Sequence, residues 1–302
     1  MSNDNDLLFG AIEAGGTKMI CAILNKDAKI IKEITIPTTT PEETIKKILI
    51  FFSSYKILSL GIGTFGPIDL DKNSKNYGTI LNTPKLSWIN FNYIKALSSL
   101  NIPIGIDTDV NASCLGEVIY GSSKGLENVV YITIGTGIGI GIITEGKLLH
   151  GMMHPEGGHM IISKNDKDIL ECICPYHTNC LEGLASGPSI QKRYGKEANE
   201  LKNDDKVWEL EADYISQALV NIIFMLQPQR IILGGGVMNQ EQLFPLIRQK
   251  VKVKINNYLL TKELENMDEY IVPCSLNDKQ GILGSFKIGF DKYYEELNKK
   301  NQ

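Results

Sequence analysis

Residues 7–24 read Leu-Leu-Phe-Gly-Ala-Ile-Glu-Ala-Gly-Gly-Thr-Lys-Met-Ile-Cys-Ala-Ile-Leu, two apolar runs on either side of the turn Gly15–Thr17. Two apolar runs joined by a tight glycine turn are typical of a β-hairpin. Residues 129–144 repeat the pattern, with Gly135–Gly137 as the turn. Each hairpin is followed by a helical pattern and a further apolar strand, so the sequence predicts two α/β domains of similar construction.

The hinge between these domains is expected near residues 119–128, where glycine and serine are frequent. The N-terminal domain then covers residues 1–120 and the C-terminal domain residues 121–287. A final helix over about 288–302 is expected to pack back on the N-terminal domain. Because pockets commonly form where domains meet, we expect the ligands to bind in a cleft between the two.

The composition is that of an ordinary soluble protein, with 43% hydrophobic and 22% charged residues in a chain of 302. A net charge of −4 gives no reason to expect nucleic acid or an anionic membrane as a partner. No apolar run approaches the roughly 20 residues that cross a bilayer. Residues 1–6 are polar and acidic, unlike a secretory signal, so we expect a cytoplasmic protein with reduced thiols.

A cluster of soft metal ligands lies within residues 154–180, which hold three of the six cysteines and three of the four histidines. Such a cluster in a reducing compartment favours a tetrahedral zinc site over disulfides. Glu156 and Glu182 are interleaved with it, so a metal that orders this loop would also position two carboxylates for a polyhydroxy substrate. The remaining cysteines lie in apolar sequence and are expected to pack in the core: Cys21, Cys114 and Cys274.

Three glycine-rich turns each follow an apolar strand, at Gly15–Lys18, Gly135–Gly139 and Gly234–Gly236. Glycine lets the backbone approach a phosphate closely, and exposed N–H groups and threonine hydroxyls can donate hydrogen bonds to it. One such turn is often purely structural, but three in an α/β chain favour phosphate binding. None has the spacing of a Walker A loop or of a dinucleotide-binding fold.

Polar residues cluster where the strand that starts at Ile104 runs into a helix over residues 110–119: Asp107, Asp109 and Asn111. Ligands of α/β sheets bind at such carboxyl ends of strands. Asp109 has two possible roles. It could cap the helix, or it could act as a general base that takes the proton from a sugar hydroxyl attacking phosphorus, for a gain of about 10²–10⁴-fold.

These motifs together resemble the ROK family of sugar kinases and repressors, and within it the zinc-containing bacterial fructokinases. They occur in family order from about residue 8 to 290: Ala14–Lys18, Gly63–Asp69, Asp109–Glu117, Gly135–Gly139, Glu156–His159, Cys180–Pro188 and Leu233–Val237. The resemblance implies the actin-like ATPase (ribonuclease H-like) α/β fold of two domains, with an interdomain cleft and a zinc-binding loop at residues 154–182.

The resemblance also implies a nucleotide site for ATP accompanied by Mg²⁺. The residues expected at its phosphates are Gly15, Gly16, Thr17, Lys18, Thr133, Gly135, Thr136 and Gly137. The residues expected near its nucleoside are Pro188, Gly234, Gly235, Gly236 and Asn239.

Asp109 matches the catalytic base of the family. The other residues that the resemblance places at the sugar or its supporting loop are Gly66, Thr108, Glu156, His159 and Glu182. Zinc is expected on His159, Cys174, His177 and Cys180. Two thiolates and two imidazoles leave no open position, so this zinc is expected to be structural. Cys172 and His154 are alternative ligands, His154 could instead face the sugar, and His150 is expected at the surface.

Three departures from the usual family pattern carry information. Glu13 stands where the family has an aspartate, which lengthens the reach of a possible Mg²⁺ ligand. Thr108 replaces the asparagine of glucose and mannose kinases, and a hydroxyl cannot make the paired contacts of an amide. The metal loop contains Cys174-Pro-Tyr-His177, as in the fructokinase branch.

The activity implied by the resemblance is ATP-dependent phosphorylation of D-fructose to D-fructose 6-phosphate by a homodimer. A kinase for mannose, glucose or an N-acetylated amino sugar is the main alternative. A non-catalytic sugar sensor is a further one. A repressor is not expected, because about six residues precede the first strand and leave no room for a helix-turn-helix.

Overall fold

The computed structural model describes residues 7–301, which form two compact α/β units. Unit 1 comprises residues 7–124, 149–154 and 275–301, and unit 2 comprises residues 125–148 and 155–274. The expected division differs from these units in three places, because residues 121–124, 149–154 and 275–287 belong to unit 1. Residues 1–6 and 302, which the sequence assigns to the N-terminal domain and to the final helix, lie outside the described residues.

Strands and helices alternate along the chain. The β-strands are β1 (Leu8–Ala14), β2 (Lys18–Asn25), β3 (Ile30–Pro37), β4 (Ile57–Thr64), β5 (Ile104–Thr108), β6 (Val129–Ile134), β7 (Ile138–Thr144), β8 (Lys147–Leu148), β9 (Arg230–Gly234) and β10 (Ile271–Pro273). The α-helices are α1 (Pro41–Ser53), α2 (Tyr93–Ala96), α3 (Asp109–Ile119), α4 (Leu181–Ala185), α5 (Gly187–Tyr194), α6 (Asp205–Leu226), α7 (Leu243–Ile255), α8 (Lys262–Glu265), α9 (Met267–Tyr270) and α10 (Gln280–Lys300).

The sheet of unit 1 has the strand order β3-β2-β1-β4-β5. β1 and β2 pair antiparallel around the turn at Gly15–Thr17, which confirms the predicted hairpin. β1, β4 and β5 run parallel, with Ala14 beside Thr64 and Thr64 beside Thr108. The carboxyl ends of these three strands therefore meet at one edge of the sheet, where the chain continues into the glycine turn, the loop at Gly66 and the start of α3.

Helix α10 packs on one face of this sheet and against α3. Helix α10 can approach the sheet and α3 closely because glycines, which have no side chain, lie at the contact. A Cβ atom built on Gly61 would collide with the backbone of Ser285, and one built on Gly284 would collide with the backbone of Ala112. Since α10 runs unbroken from Gln280, the chain cannot be divided near residue 287, and the whole helix belongs to unit 1.

The sheet of unit 2 has the strand order β10-β9-β6-β7-β8. β6 and β7 form the second predicted hairpin, and Gly135 N–H donates to Gly137 O across its turn at 2.9 Å. β6 and β9 run parallel, with Thr133 beside Gly234. Both glycine turns of unit 2 therefore lie at the same end of the sheet.

Apolar side chains fill the space between each sheet and its helices. In unit 1 the largest of these fully buried side chains include Trp88, Tyr93, Phe52 and Phe286. In unit 2, α6 buries Trp208, Tyr214 and Leu219. No helix within residues 7–301 is both long enough and apolar enough to cross a membrane.

Candidate active site and metal centre

Asp109 is the first residue of α3 and follows β5 directly. The helix is capped by Thr108, whose hydroxyl accepts a hydrogen bond from Asn111 N–H at 3.1 Å. The alternative in which Asp109 is the N-cap is therefore wrong. Asp109 Oδ1 accepts from Val110 N–H at 2.9 Å, and a carboxylate in the first turn is favoured by the helix dipole. The Asp109 carboxylate is thus held at the edge of the sheet without serving as the cap.

Two carboxyl groups in unit 1 titrate above their usual range. Burial raises the pKa of Asp109 to about 6. Burial, and after it the charge of Asp109, raises the pKa of Glu13 to about 7, while Lys18 and Lys279 act in the opposite direction. Glu13 Oε2 is buried and has no hydrogen-bond partner among the described residues. Hard cations such as Mg²⁺ prefer carboxylate oxygens, so the unpaired Glu13 Oε2 fits a divalent cation.

Asp107 has a structural role beside the candidate base. It is buried, and its Oδ1 accepts hydrogen bonds from Thr108 N–H at 2.8 Å and Asn111 Nδ2 at 2.7 Å. Its Oδ2 lies 2.8 Å from His150 Nε2. His150 is exposed, as expected, and its ring, 37% exposed, also pairs with this buried carboxylate.

His154 lies against the loop that follows β4. It is 6% exposed, and its Nε2 accepts a hydrogen bond from Ile68 N–H at 3.1 Å. A Cβ atom on Gly66 would lie 3.2 Å from His154 Cε1, so glycine gives the ring room. His154 is not in the group of candidate metal ligands of residues 7–301, which speaks against it as the alternative zinc ligand.

The turns of unit 2 form one cluster around the start of α5. Gly187 N–H donates to Gly135 O at 2.8 Å, which places Pro188, the second residue of α5, beside the turn at 135–137. A Cβ atom on Gly135 would lie 3.8 Å from Gly236 N. Gly235 has a φ of 89°, and a side chain there would strike the backbone of Ile134. Backbone geometry, and not composition alone, therefore requires glycine at this position.

The other expected nucleotide residues lie near this cluster or in unit 1. Thr133 lies in β6 beside Gly234, while Thr136 is exposed at the tip of the turn. Asn239 is exposed at the end of a short 3₁₀ helix over Gly236–Asn239. In unit 1, Thr17 and Lys18 are exposed and Gly15 and Gly16 are partly exposed.

The four expected zinc ligands come together in unit 2. One ligand atom each from His159, Cys174, His177 and Cys180 can be chosen so that all lie within 4.8 Å of one another. Cys174 Sγ is 3.4 Å from His177 Nδ1 and 3.8 Å from His159 Nδ1, and Cys180 Sγ is also 3.8 Å from His159 Nδ1. With ordinary zinc bond lengths, sulfur and nitrogen ligands of a tetrahedral site lie about 3.6 Å apart. The donor set and its spacing therefore fit zinc.

Cys180 can act as a metal ligand only after its thiol loses a proton. Burial raises the pKa of the Cys180 thiol to about 12, and the neighbouring thiol of Cys174 adds to this rise although Gly183 N–H opposes it. A thiol of this kind becomes a thiolate at neutral pH only beside strong positive charge. Cys172 is outside the ligand group and packs over Gly183 instead, because a Cβ atom on Gly183 would collide with Cys172 Sγ.

Glu182 connects the metal loop to the glycine turn of unit 2. It lies two residues after Cys180, in the first turn of α4, and its Oε2 accepts from Ile138 N–H at 2.8 Å. Glu156, the other interleaved carboxylate, is exposed just before the short helix that carries His159. The metal loop thus positions a carboxylate directly against the turn at 135–137.

The chain matches the family model of the ROK family over residues 9–291. It belongs to the ROK family. The fructokinase of Pediococcus pentosaceus is 44% identical over 93% of this chain and 97% of its own length. The fructokinase of Lactococcus lactis subsp. cremoris is 42% identical over 95% of this chain and 99% of its own length.

A solved structure has the same fold. The ROK hexokinase from Thermus thermophilus superposes with a TM-score of 0.77 at 21% identity, covering 96% of this chain and 100% of that chain. The predicted α/β fold of the ROK sugar kinases is confirmed, and the structure shows that it contains two mixed sheets.

Proposed function

We propose that this protein is an ATP-dependent fructokinase that transfers the γ-phosphoryl group of ATP to D-fructose and yields D-fructose 6-phosphate. The observation that carries the proposal is the identity of 44% and 42% to two fructokinases over almost the full length of each. The position of Asp109 at the carboxyl end of β5 supports the same chemistry.

Asp109 is the general base of this reaction. An alcohol attacks phosphorus only as it loses its proton, and a carboxylate within hydrogen-bond reach can accept that proton. With a pKa of about 6, the Asp109 carboxyl is ionised at neutral pH and is a stronger base than an ordinary aspartate. The proton therefore passes from the primary hydroxyl of the sugar to the Asp109 carboxylate during in-line transfer.

The nucleotide phosphates bind at the glycine-threonine turns of each unit, Gly15–Lys18 and Thr133–Gly137. Exposed Thr17, Lys18 and Thr136 supply donors, and the backbone N–H groups add others. Glu13, whose Oε2 has no hydrogen-bond partner among the described residues, is the carboxylate that would hold Mg²⁺, and Asp109 stays free to act as the base. When bound with the nucleotide, this ion supplies the positive charge that phosphoryl transfer requires. The nucleoside lies by Pro188, Gly234–Gly236 and Asn239.

The sugar site contains Gly66, Thr108, Asp109, Glu156 and Glu182, with His159 fixing the loop as a zinc ligand. A zinc ion held by these four residues would be structural, since four protein ligands would leave no position for water. Thr108 supports a ketohexose, because its hydroxyl oxygen already caps α3 and cannot replace the amide of glucose and mannose kinases. We further expect a cytoplasmic homodimer, as the family resemblance implies.

Steady-state kinetics with fructose, mannose, glucose and N-acetylated amino sugars test the proposal. Fructose should give the highest kcat/KM, and another preferred hexose would overturn the fructose assignment. Asp109→Asn should lower kcat about 10²–10⁴-fold while sugar binding is retained. Asp27→Asn, in an exposed turn of unit 1, is the matched control and should leave kcat unchanged. Sugar binding without any consumption of ATP would point to a sensor.

A further inference from the structure

Residues 149–154 leave unit 2 and pack as part of unit 1 before the chain returns at Pro155. We call this segment the strap. The middle of the strap is open to solvent, since Met152 is fully exposed and Gly151 is exposed as well. Its anchoring contacts come from two imidazoles four residues apart, His150 and His154.

Each imidazole holds a different part of unit 1. His154 Nε2 accepts the hydrogen bond of Ile68 N–H, and Gly66 leaves room for the ring. His150 Nε2 lies 2.8 Å from Asp107, which also binds Thr108 N–H and the Asn111 side chain. The strap therefore contacts the loop after β4 at one end and the junction of β5 and α3 at the other.

We propose that His154 is a positioning residue for the sugar, acting through the Gly66–Ile68 loop, with His150 as the second anchor of the strap. Ile68 is fully buried, and a backbone N–H donor in such surroundings needs a partner to keep its place. His154 supplies that partner from outside the loop. The inference rests on the proposed function, in which this loop lines the sugar site.

The chemistry of the contact defines the variants. Nε2 accepts, so a glutamine carboxamide oxygen of similar reach can replace it, whereas the ring of phenylalanine keeps the volume and loses the acceptor. His154→Phe should raise the KM for fructose about tenfold, and His154→Gln should bring it back to within about threefold of the unchanged protein. The KM for ATP should stay within about twofold in both. Met152→Ala, in the exposed part of the strap, is the control and should change neither constant.

A residue with a merely structural role would alter both KM values together. Equal rises for fructose and ATP would therefore overturn the inference, as would an unchanged KM for fructose in His154→Phe. Zinc content measured by mass spectrometry should be the same in every variant, because His154 lies outside the ligand group. Loss of zinc from His154→Gln would show that His154 is a metal ligand and not a loop anchor.

Two further measurements keep the inference open to refutation. If His154→Phe does not fold, His154→Asn replaces it, because its shorter carboxamide cannot reach Ile68 N–H, and only Gln should then preserve the KM for fructose. Amide exchange at Ile68 should accelerate about tenfold or more in His154→Phe or His154→Asn even without sugar. If the unchanged protein phosphorylates no fructose, the proposed function fails. If amide exchange at Ile68 is equally fast in the variants and in the unchanged protein, the role of His154 as a loop anchor is refuted and the proposed function is not affected.

Discussion

Asp109 and Glu13 are two carboxyl groups of unit 1 that interact electrostatically, and both have a raised pKa. Burial raises the pKa of Asp109 to about 6. Burial, followed by the charge on Asp109, raises the pKa of Glu13 to about 7. Each carboxylate therefore opposes the ionisation of the other, and a cation bound nearby would favour the ionised pair.

The first prediction concerns the pH dependence of catalysis. The base must be ionised, so kcat/KM for the sugar should rise with pH through about 6 and level off above about 7. Initial rates between pH 5 and 8.5 at saturating Mg²⁺ measure this profile. Glu13→Gln should keep this rise in kcat/KM and should not move it to higher pH, because the variant removes a neighbouring negative charge and leaves Asp109 in place. A profile that is flat from pH 5 upward would contradict the assignment of Asp109.

The second prediction concerns stability against pH. The folded-state pKa of Asp109 lies above the usual value of 3.8, so the folded protein binds the proton more tightly than the unfolded chain. Proton binding by Asp109 therefore contributes fully to the free energy of unfolding below about pH 4, and this contribution is lost as the pH rises through about 6.

Asp109→Asn should remove the loss of stability that accompanies ionisation of Asp109 at higher pH. The free energy of unfolding of the variant minus that of the unchanged protein should therefore be larger at pH 8 than at pH 4.5. Urea unfolding of both proteins at the two pH values measures the difference, with Asp27→Asn as the control for an exposed carboxylate. An equal difference at both pH values would mean that Asp109 titrates in its ordinary range.

Local sequence predicts those parts of this molecule that depend on neighbours in the chain. The hairpin turns at Gly15 and Gly135 and the spacing of Cys174, His177 and Cys180 are of this kind, and the structure places them as expected. Local sequence does not predict the partners of His150 and His154, because these partners lie 43 and 86 residues away in the chain. No periodicity in the sequence marks such pairs.

The third prediction concerns the metal. Cys174→Ser should release zinc and lower the Tm, because the four ligands tie Cys174–Cys180 to His159. The KM values for fructose and for ATP should both rise, since Glu182, a residue of the proposed sugar site, would no longer be fixed against Ile138 N–H beside the turn at 135–137. Metal analysis, thermal unfolding and kinetics give the three readouts. Cys172→Ser is the matched control and should retain zinc; loss of zinc there would make Cys172 a ligand.

The fourth prediction concerns a buried ion pair that anchors the zinc-binding loop at residues 154–182. Arg193 donates to both oxygens of Asp168 at 3.0 Å, and Tyr214 donates to Oδ2 at 2.7 Å. Burial alone would raise the pKa of Asp168, but Arg193, Tyr214 and Leu170 N–H hold it below its usual range. Asp168 is therefore ionised inside the protein, six residues before Cys174, and its charge depends on Arg193.

Arg193→Met should leave that charge buried without its cation. Breaking a buried pair in this way typically destabilises a protein by about 3–5 kcal/mol, measured here by urea unfolding at pH 7. The double variant Arg193→Met with Asp168→Asn should recover part of the loss, because no charge is then left unpaired. The loss in Arg193→Met should also shrink toward pH 4, where Asp168 can take up a proton. If the loss is as large at pH 4 as at pH 7, packing of the Arg193 side chain, and not its charge, holds this segment in place.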